Sequence, residues 1–416
     1  MLKKLIRITT VPMSLEKLLE NQLRFMKQYY NVTAISSDKV NLERVAKLQE
    51  ASTFHVEMTR KITPFKDLKA VWQLYSYFKK EKPLMVHTHT PKAGTLGMLA
   101  AKLAGVPHRL HTIAGLPLLE ATGSKRKLLN AVEKATYACA THIYPNSFGL
   151  KEIIIQEQFC KPAKLKVLGN GSSNGIDTAY FNPENFSAQQ NQELKNSLGI
   201  HPNDFAFIFV GRLVGDKGIN ELVAAFKKVQ RQKSKVKSLN KGDIKFSNNE
   251  QNSSTGLQNR QLTTHNPKLL LVGPLETDLD PLHKNTLLEI DENPNIISVG
   301  YQKDVRPYLA ISNCLSFPSY REGFPNVVMQ AGAMGLPSIV TNINGCNEII
   351  IEGQNGTIIP VKDTNALYNA MKKMIADDNY DKQLQQNARP MIVSRYEQHL
   401  VWEAILAEYK RLEKNV

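Results

Sequence analysis

The stretch DFAFIFVGRLVGDKGIN, residues 204–220, is the pattern that decides the fold of this chain. It begins with a short apolar run that ends at Gly211, as expected for a strand that is buried on both faces. Gly218 then introduces a helical pattern from Ile219 onward. A buried strand, a glycine-bearing loop and a helix in this order predict one unit of a parallel α/β sheet.

The same alternation runs through the rest of the chain. Strand-like runs in the first half lie at 4–11, 31–37, 53–58, 84–90, 108–114 and 141–147. Helical patterns between them lie at 66–80, 93–104, 124–139 and 148–158. In the second half, further strand-like runs lie at 268–273, 295–300, 314–319, 336–341 and 356–361. Because 416 residues exceed the size at which one hydrophobic core stops growing, the chain is predicted to form two doubly wound α/β domains.

The limits of the predicted domains come from changes in composition. The first domain is predicted over 1–185 and the second over 190–394, with a polar, turn-rich linker near their junction. Residues 233–267 are rich in Asn, Gln, Ser, Thr and Lys with little apolar periodicity, which predicts a flexible insertion. The last stretch, 395–416, places Val401, Ile405, Tyr409 and Leu412 on one face of an amphipathic helix, which is predicted to pack back on the first domain.

Charge is unevenly distributed along the chain. The formal net charge is +15, and Lys plus Arg minus Asp plus Glu gives 27 − 14 = +13 for residues 1–190 and 26 − 24 = +2 for 191–416. The first half is therefore expected to meet an anionic partner, which is nucleic acid, an acidic membrane face or a phosphorylated acceptor. An aromatic content of 7% without a stacking pattern argues against nucleic acid.

Other bulk features restrict the class of protein. The four cysteines lie far apart without CxxC spacing and predict reduced thiols, not a disulfide or metal framework. Arg7 interrupts the apolar run near the start, which favours a first strand over a signal peptide. No run of about 18 apolar residues exists, so no membrane-spanning helix is predicted.

Two loops of the second half carry the candidate chemistry. In GRLVGDKGIN, Arg212 and Lys217 lie just ahead of a helix N-terminus, a natural site for a diphosphate. By itself this loop leaves open a glycine-rich turn with solvated cations. In REGFPNVVMQAGAMGLP, residues 321–337, Glu322 can accept hydrogen bonds from sugar hydroxyls. Pro325 suits the start of a helix, and the backbone donors of Asn326 to Val328 are expected to face a ligand.

Together these loops resemble the donor half of glycosyltransferase family 4, the retaining enzymes of the GT-B fold. The first-half segments HTHTPKAGTLGMLAAKLAGVPHRLHTIAGLP and VLGNGSSNGIDTAYF resemble bacterial enzymes that build capsule, O-antigen and exopolysaccharide units. The resemblance extends through most of the chain. It implies two Rossmann-like, doubly wound parallel-sheet domains that face a central cleft.

The resemblance also implies a donor site. Arg212 and Lys217 would hold the donor diphosphate, and Glu322 would bind the sugar, which makes these three the implied catalytic residues. The implied donor-binding residues are Gly211, Arg212, Lys217, Tyr301, Glu322, Gly323, Phe324, Pro325, Asn326 and Gln330. Gln330 departs from the family, which carries a second glutamate there for the ribose hydroxyls. A neutral amide is a weaker acceptor than a carboxylate, so weakened or retuned nucleotide binding is predicted, with catalysis retained.

The implied acceptor side is less regular. Ala114 stands where many relatives carry histidine or arginine, and His89 and His111 are the substitutes offered by the sequence. The implied acceptor-side residues are His89, Lys92, His111 and Gly115. His87 and His89 alternate on one strand, which more often indicates packing or hydrogen bonding than a metal.

No metal and no cofactor are predicted. The tripeptide DLD at 278–280 is similar to the metal-binding DxD of another glycosyltransferase fold, but a structural role is favoured for it. The donor is a nucleotide sugar, which is a substrate and not a resident cofactor.

The implied reaction is transfer of a hexose or N-acetylhexosamine from a UDP-sugar to a polyprenyl-diphosphate-linked saccharide, with retained anomeric configuration, in surface polysaccharide biosynthesis. The enzyme is expected in the cytoplasm, peripherally bound to the inner face of the membrane. Gln330 and Ala114 leave open a non-catalytic sugar-nucleotide-binding protein. An epimerase acting on UDP-sugars with the same architecture is a further alternative.

Overall fold

The computed structural model describes residues 2–242 and 266–414, apart from residues 60, 117, 119, 120 and 279. These residues form two compact units. Unit one comprises Met1–Gly175 and Arg395–Val416, and unit two comprises Ile176–Ser394.

Each unit is built on a six-stranded parallel sheet. The order is β3-β2-β1-β4-β5-β6 in unit one and β12-β11-β10-β7-β8-β9 in unit two. The strands of unit one are β1 (Lys4–Ile8), β2 (Asn31–Ser36), β3 (Ser52–His55), β4 (Met85–Thr88), β5 (His108–Ile113) and β6 (His142–Pro145). The strands of unit two are β7 (Asp204–Val210), β8 (Asn266–Val272), β9 (Ile296–Ser298), β10 (Cys314–Phe317), β11 (Ser338–Thr341) and β12 (Gly356–Ile359). Every strand-like run predicted from the sequence overlaps one of these strands, so the doubly wound α/β prediction is confirmed.

Helices connect the strands and cover the sheets. The helices up to the middle of the chain are α1 (Pro12–Leu18), α2 (Gln22–Lys27), α3 (Lys39–Leu48), α4 (Pro64–Glu81), α5 (Pro91–Ala104), α6 (Gly123–Cys139), α7 (Phe148–Gln156) and α8 (Ala188–Ser197). Those that follow are α9 (Ile219–Gly242), α10 (Lys284–Glu292), α11 (Arg306–Ala310), α12 (Asn326–Ala333), α13 (Cys346–Ile349), α14 (Thr364–Ala376), α15 (Asp378–Tyr396) and α16 (Gln398–Glu413). Among the described residues, none of these helices combines the length and the apolar character needed to cross a membrane.

The boundary between the units differs from the prediction. The sequence predicted a first domain that ends at 185, whereas the chain after Gly175 packs with unit two. Arg389 explains part of this difference, because its guanidinium donates hydrogen bonds to the carbonyl oxygens of Thr178 and Phe181. The guanidinium of Arg306 also lies 3.4 Å from the ring centroid of Tyr180. These contacts fix residues that the sequence pattern presented only as polar and turn-rich.

The predicted insertion at 233–267 is too long at both ends. Helix α9 continues to Gly242, and strand β8 begins at Asn266. No glycine or proline precedes Gly242 in α9, so nothing in the sequence stops the helix once it has formed. The rest of the predicted insertion lies outside the described residues.

Two apolar cores fix the sheet of unit one. One core joins the sheet to α4 and α5, and the other joins it to α2 and α16. The residues of α16 that were predicted to share one apolar face are all buried in the second core, namely Val401, Ile405, Tyr409 and Leu412. Helices α5 and α16 therefore cover opposite faces of this sheet.

A buried polar network lies on the α16 side of the same sheet. Arg7 is fully buried, and its Nε donates to Nε2 of His89 at 2.8 Å. His87 bonds through Nδ1 to the Tyr409 hydroxyl at 2.5 Å and through Nε2 to Thr112 at 2.7 Å. Burial lowers the pKa of His87 and of His89 well below the usual value for histidine, so both rings are neutral. The network explains these two histidines by packing and hydrogen bonding, as the sequence predicted.

Candidate active site

The two loops selected from the sequence follow neighbouring strands of unit two. Strands β7 and β10 lie side by side in the middle of the sheet, and the chain continues from them in opposite directions. Ligands of open parallel sheets bind at the carboxyl edge beside such a switch point. The loop after β7 carries Lys217, and the loop after β10 carries Glu322.

Glycines let these loops approach each other closely. Gly218 has a φ of +70°, and a Cβ at this position would lie 2.1 Å from the carbonyl oxygen of Pro318. A Cβ on Gly273, at the end of β8, would lie 1.8 Å from the carbonyl oxygen of Gly211. The amide of Tyr320 then donates to the carbonyl oxygen of Asp216 at 2.9 Å, which joins the two loops directly.

Lys217 and Glu322 form the centre of the site. Nζ of Lys217 lies 2.5 Å from Oε1 of Glu322, and each side chain is only 17% exposed. Oε1 also accepts a hydrogen bond from the hydroxyl of Ser319 at 3.0 Å. The side-chain amide of Asn344 donates to the backbone carbonyls of Glu322 and Gly323 at 2.6 and 3.1 Å. Lys217 and Ser319 therefore hold the carboxylate, while Asn344 holds the backbone of its loop.

Arg212 lies on the same loop as Lys217 but contacts a different partner. Its Nη1 lies 2.9 Å from Oε2 of Glu276, a residue on the loop after β8, and its side chain is half exposed. Arg321 and Asp216 form a third ion pair at 2.8 Å. The carboxyl edge of unit two thus places three cations beside three carboxylates. An anionic ligand can use these cations by replacing a carboxylate partner.

The DLD tripeptide supports this loop structurally. Oδ2 of Asp280 accepts the backbone N–H of Asp216 at 2.5 Å, and its backbone carbonyl accepts the N–H of Gly215 at 3.1 Å. A Cβ on Gly215 would lie 2.9 Å from this carboxylate. Asp280 therefore orders the lysine-bearing loop, in line with the structural role that the sequence favoured.

The remaining donor-side candidates differ in exposure. Phe324 and Pro325 are buried, Asn326 is exposed at the first position of α12, and Gln330 is half-buried on the same helix. The amide of Val328 donates to the carbonyl of Pro325 at 3.2 Å, so this N–H is used within the helix. The prediction that the donors from Asn326 to Val328 all face a ligand is therefore wrong for Val328. Tyr301, after β9, has a 73% exposed side chain.

The acceptor-side candidates are all in unit one, and the sheet separates two of them. His89 lies on the α16 side, with its ring centroid 4.2 Å from that of His87. His111 is buried on the α5 side, where its Nδ1 bonds to the Thr88 hydroxyl at 2.7 Å and burial lowers its pKa to about 4. The two imidazoles therefore do not meet in one group.

The other two acceptor-side candidates follow strands β4 and β5, one at the start of a helix and one in a loop. Nζ of Lys92, in the first turn of α5, lies 2.5 Å from Oδ2 of Asp67 in α4. Gly115 is half-buried in the loop after β5. Both positions are at the carboxyl edge of the unit one sheet.

Several residues of the site were not selected from the sequence. Ser319, Asn344, Glu276 and Asp280 fix or neutralise the selected residues. Ser319 is separated from Glu322 by three positions, so a strand-end serine just before the loop was an available signal. Asn344 carries no local signal, because it is 22 residues from the loop that it holds.

Comparison with known proteins identifies the family. Residues 28–171 match the model of the "Glycosyl transferase 4-like domain", and residues 255–377 match that of "Glycosyl transferases group 1". The capsular polysaccharide biosynthesis glycosyltransferase CapM of Staphylococcus aureus is 31% identical over 99% of this chain and 98% of its own length. This chain belongs to the family 4-like glycosyltransferases. The resemblance seen in the sequence is thereby confirmed.

Two further similarities support the assignment and the fold. One relative is an Escherichia coli enzyme, UDP-Gal:alpha-D-GlcNAc-diphosphoundecaprenol alpha-1,3-galactosyltransferase. It is 30% identical to this chain over 82% of this chain and 78% of its own length. The crystal structure of Anabaena Alr3699/HepE in complex with UDP superposes with a TM-score of 0.76 at 15% identity, covering 98% of this chain and all of HepE. The fold is therefore of the GT-B type, as predicted.

Proposed function

We propose that this glycosyltransferase moves a hexose or N-acetylhexosamine from a UDP-sugar to a polyprenyl-diphosphate-linked saccharide, with retained anomeric configuration and without a metal. The reaction belongs to surface polysaccharide biosynthesis at the cytoplasmic face of the membrane, with the enzyme bound peripherally. The ion pair of Lys217 and Glu322 beside the switch point is the observation that carries the proposal.

The chemistry of the pair supports glycosyl transfer. Lys217, with Arg212 on the same loop, would neutralise the negative charge that develops on the departing diphosphate. Glu322, held by Ser319 and Asn344, would accept hydrogen bonds from the sugar hydroxyls and orient the anomeric carbon. The bond from this carbon to the diphosphate breaks, and a bond to the acceptor oxygen forms on the same face. The diphosphate oxygen that leaves takes the acceptor proton, so no protein nucleophile is needed.

The substrate classes rest on similarity and on charge. The printed name of the E. coli relative gives UDP-galactose as its donor and a diphosphoundecaprenol-linked GlcNAc as its acceptor. An acceptor with a diphosphate on a lipid suits the strongly basic first half, where 27 Lys and Arg face 14 Asp and Glu. Basic groups near an anionic bilayer each contribute roughly 1 kcal/mol of binding free energy.

A donor screen tests the proposed function. UDP- and GDP-linked hexoses and N-acetylhexosamines are incubated with the full chain and a short-chain polyprenyl-diphosphate GlcNAc, and nucleotide release is measured with and without EDTA. We expect acceptor-dependent UDP release, an α-linked product from an α-linked donor, and no effect of EDTA. UDP binding without release from any donor favours the non-catalytic alternative. Conversion of the donor sugar in the absence of acceptor favours an epimerase.

Gln330→Glu is expected to keep turnover and tighten UDP binding about three- to tenfold. A carboxylate accepts a ribose hydroxyl through a charge-assisted bond, which is roughly twice as strong as a neutral one. The measurement is the Kd for UDP by isothermal titration calorimetry, together with kcat. Gln354→Glu is the matched control, because it adds the same charge at an exposed turn before β12, at the opposite edge of the sheet. Equal affinities for UDP in the two variants would contradict the proposed ribose contact.

A further inference from the structure

Helix α4 of unit one has an apolar face on its outer side. Ile62, just before the helix, is 68% exposed, and Phe65, Leu68 and Trp72 on the helix are 91%, 70% and 67% exposed; we call these four residues the α4 apolar face. Phe65, Leu68 and Trp72 are spaced three and four residues apart, so they form one stripe along the helix. The core-facing side of the same helix buries different residues, namely Ala70, Val71, Leu74 and Phe78. The helix is therefore apolar on two sides, of which the described part of the chain covers only one.

Lysines border this stripe. Lys61, Lys66 and Lys69 alternate with its apolar residues in the sequence, and all three are exposed. Lys79 and Lys80 are exposed at the end of the same helix. Aromatic and aliphatic side chains bordered by lysine are the composition of a helix that lies in the interface of an anionic bilayer. The α4 apolar face therefore has both components that such a surface recognises, an apolar stripe and positive charge.

The position of α4 connects this face with the proposed acceptor side. Because α4 follows β3, its first turns lie at the carboxyl edge of the unit one sheet. Asp67 in this part of the helix pairs with Lys92 at 2.5 Å, and it accepts the N–H and the hydroxyl of Thr63 at 3.2 and 3.0 Å. These bonds fix the start of α4 against the first turn of α5, next to the loop after β4 that carries His89. The diphosphate of a lipid-linked acceptor lies at the level of the lipid headgroups, so a bilayer at this edge presents it to that loop.

We propose that the α4 apolar face and its lysines are the surface by which unit one docks on an anionic phospholipid bilayer. Phe65, Leu68 and Trp72 insert among the headgroups, and the lysines contact the lipid phosphates. The inference rests on the proposed function for its biological role, and it adds the surface and the lipid chemistry. Docking is independent of the donor site, because all of its residues belong to unit one.

Tryptophan fluorescence provides a direct test. The chain has two tryptophans, Trp72 and Trp402, and Trp402 is only 5% exposed. With vesicles of equal parts phosphatidylglycerol and phosphatidylcholine, we expect a blue shift of emission and quenching by brominated acyl chains. Both signals are expected to be absent in Trp72→Phe, whose remaining tryptophan is buried. The proposal would be overturned if the wild-type protein sedimented with the vesicles while the emission of Trp72 stayed unshifted and unquenched.

Vesicle sedimentation measures the contribution of the surface. The triple variant Phe65→Ser, Leu68→Ser, Trp72→Ser is expected to lower the partition coefficient at least about tenfold, since each buried side chain of this size adds to binding. The double variant Lys66→Glu, Lys69→Glu is expected to weaken binding to anionic vesicles only. Val40→Ser with Leu48→Ser is the matched control, because these side chains are 77% and 55% exposed on α3, on the other side of the sheet. A triple variant that binds vesicles as well as this control overturns the docking surface.

Two activity assays separate this proposal from the proposed function. The triple variant is expected to keep wild-type transfer to a short-chain acceptor in solution and to lose transfer to an acceptor embedded in vesicles. If the wild type binds vesicles through α4 but transfers no sugar to either acceptor, docking stands and the proposed function fails. If the wild type is a dimer that the triple variant converts to a monomer, the face binds a second copy of the chain, and the docking proposal fails.

Discussion

Replacement of Lys217 by alanine is expected to lower kcat/KM for sugar transfer by about 10²- to 10³-fold, which is the usual effect of removing one charged group that stabilises a developing anion. Nζ of Lys217 lies at the carboxyl edge beside the switch point and is mostly buried against Glu322. A cation in such a place acts with little screening by water, so its charge is felt strongly by a diphosphate. The measurement is acceptor-dependent UDP release at saturating and limiting donor.

Lys227→Ala is the matched control for this prediction. Lys227 also pairs with a carboxylate of unit two, Glu289, but it lies on α9 away from the loop after β7. Its replacement is expected to leave kcat and KM within about twofold of wild type, since partly exposed ion pairs contribute little. Normal turnover of Lys217→Ala would mean that the diphosphate assignment is wrong.

Glu322→Ala distinguishes a joint role of the pair from two separate roles. If lysine and carboxylate act on one donor, the double variant Lys217→Ala, Glu322→Ala is expected to lose less activity than the product of the two single losses. Fully multiplicative losses would show that the two side chains act independently. Circular dichroism checks that each variant keeps the wild-type fold.

The sequence predicted the two sheets well because each strand is a short apolar run followed by a turn. DFAFIFVG and KLLLVG need no tertiary information to be recognised as buried strands. Helices α1 to α3 were not singled out, because they are short or weakly patterned and are buried in the same core as α16, from the other end of the chain. Such distant contacts leave no mark in a local window of sequence.

Local sequence pattern indicated the two central residues of the site, but it could not indicate the residues that support them. Lys217 and Glu322 each stand in a loop with a strong local pattern, and the order of strands in a doubly wound sheet brings such loops together. Glu276 and Asn344 lie on other loops, and only the folded chain shows that they reach Arg212 and the backbone at Glu322. The loops can therefore be predicted from sequence pattern, whereas the residues that contact them are known only from the folded structure.

The outer face of α4 shows another limit of periodicity. Residues 64–81 have apolar side chains around more than half of the helix, so the pattern predicts a helix but not which side is covered. Burial of Val71 and Leu74, with exposure of Phe65 and Trp72, is decided by packing on the sheet and on α5. Exposure of this face, and with it the docking proposal, therefore had to come from the structure.

Glu408→Ala is expected to lower the free energy of unfolding of unit one by about 1–3 kcal/mol, the usual effect of leaving a buried hydrogen-bond donor without its acceptor. The Glu408 side chain is 1% exposed on α16. It accepts hydrogen bonds from the Tyr144 hydroxyl at 3.1 Å, from Lys166 at 2.6 Å and from Arg411 at 2.8 Å. Alanine would leave a buried phenol hydroxyl and two cations without their acceptor. Urea unfolding followed by tryptophan fluorescence measures unit one, because both tryptophans lie in it.

The dependence of this effect on pH provides a second check. Burial raises the pKa of Glu408, but hydrogen bonds and charge from Arg411 and Lys166 outweigh burial and hold the pKa at about 2. The unfolded pKa is about 4.3, so the stabilisation is complete above that pH and is lost as the pH falls toward 2. The gap in urea midpoint between wild type and Glu408→Ala should therefore narrow from pH 5 to pH 3, while the buried histidines act equally in both proteins. Glu403→Ala, at an exposed position of the same helix, should match wild type throughout. A constant gap across this range would show that packing of the side chain, and not its charge, stabilises α16 on the sheet.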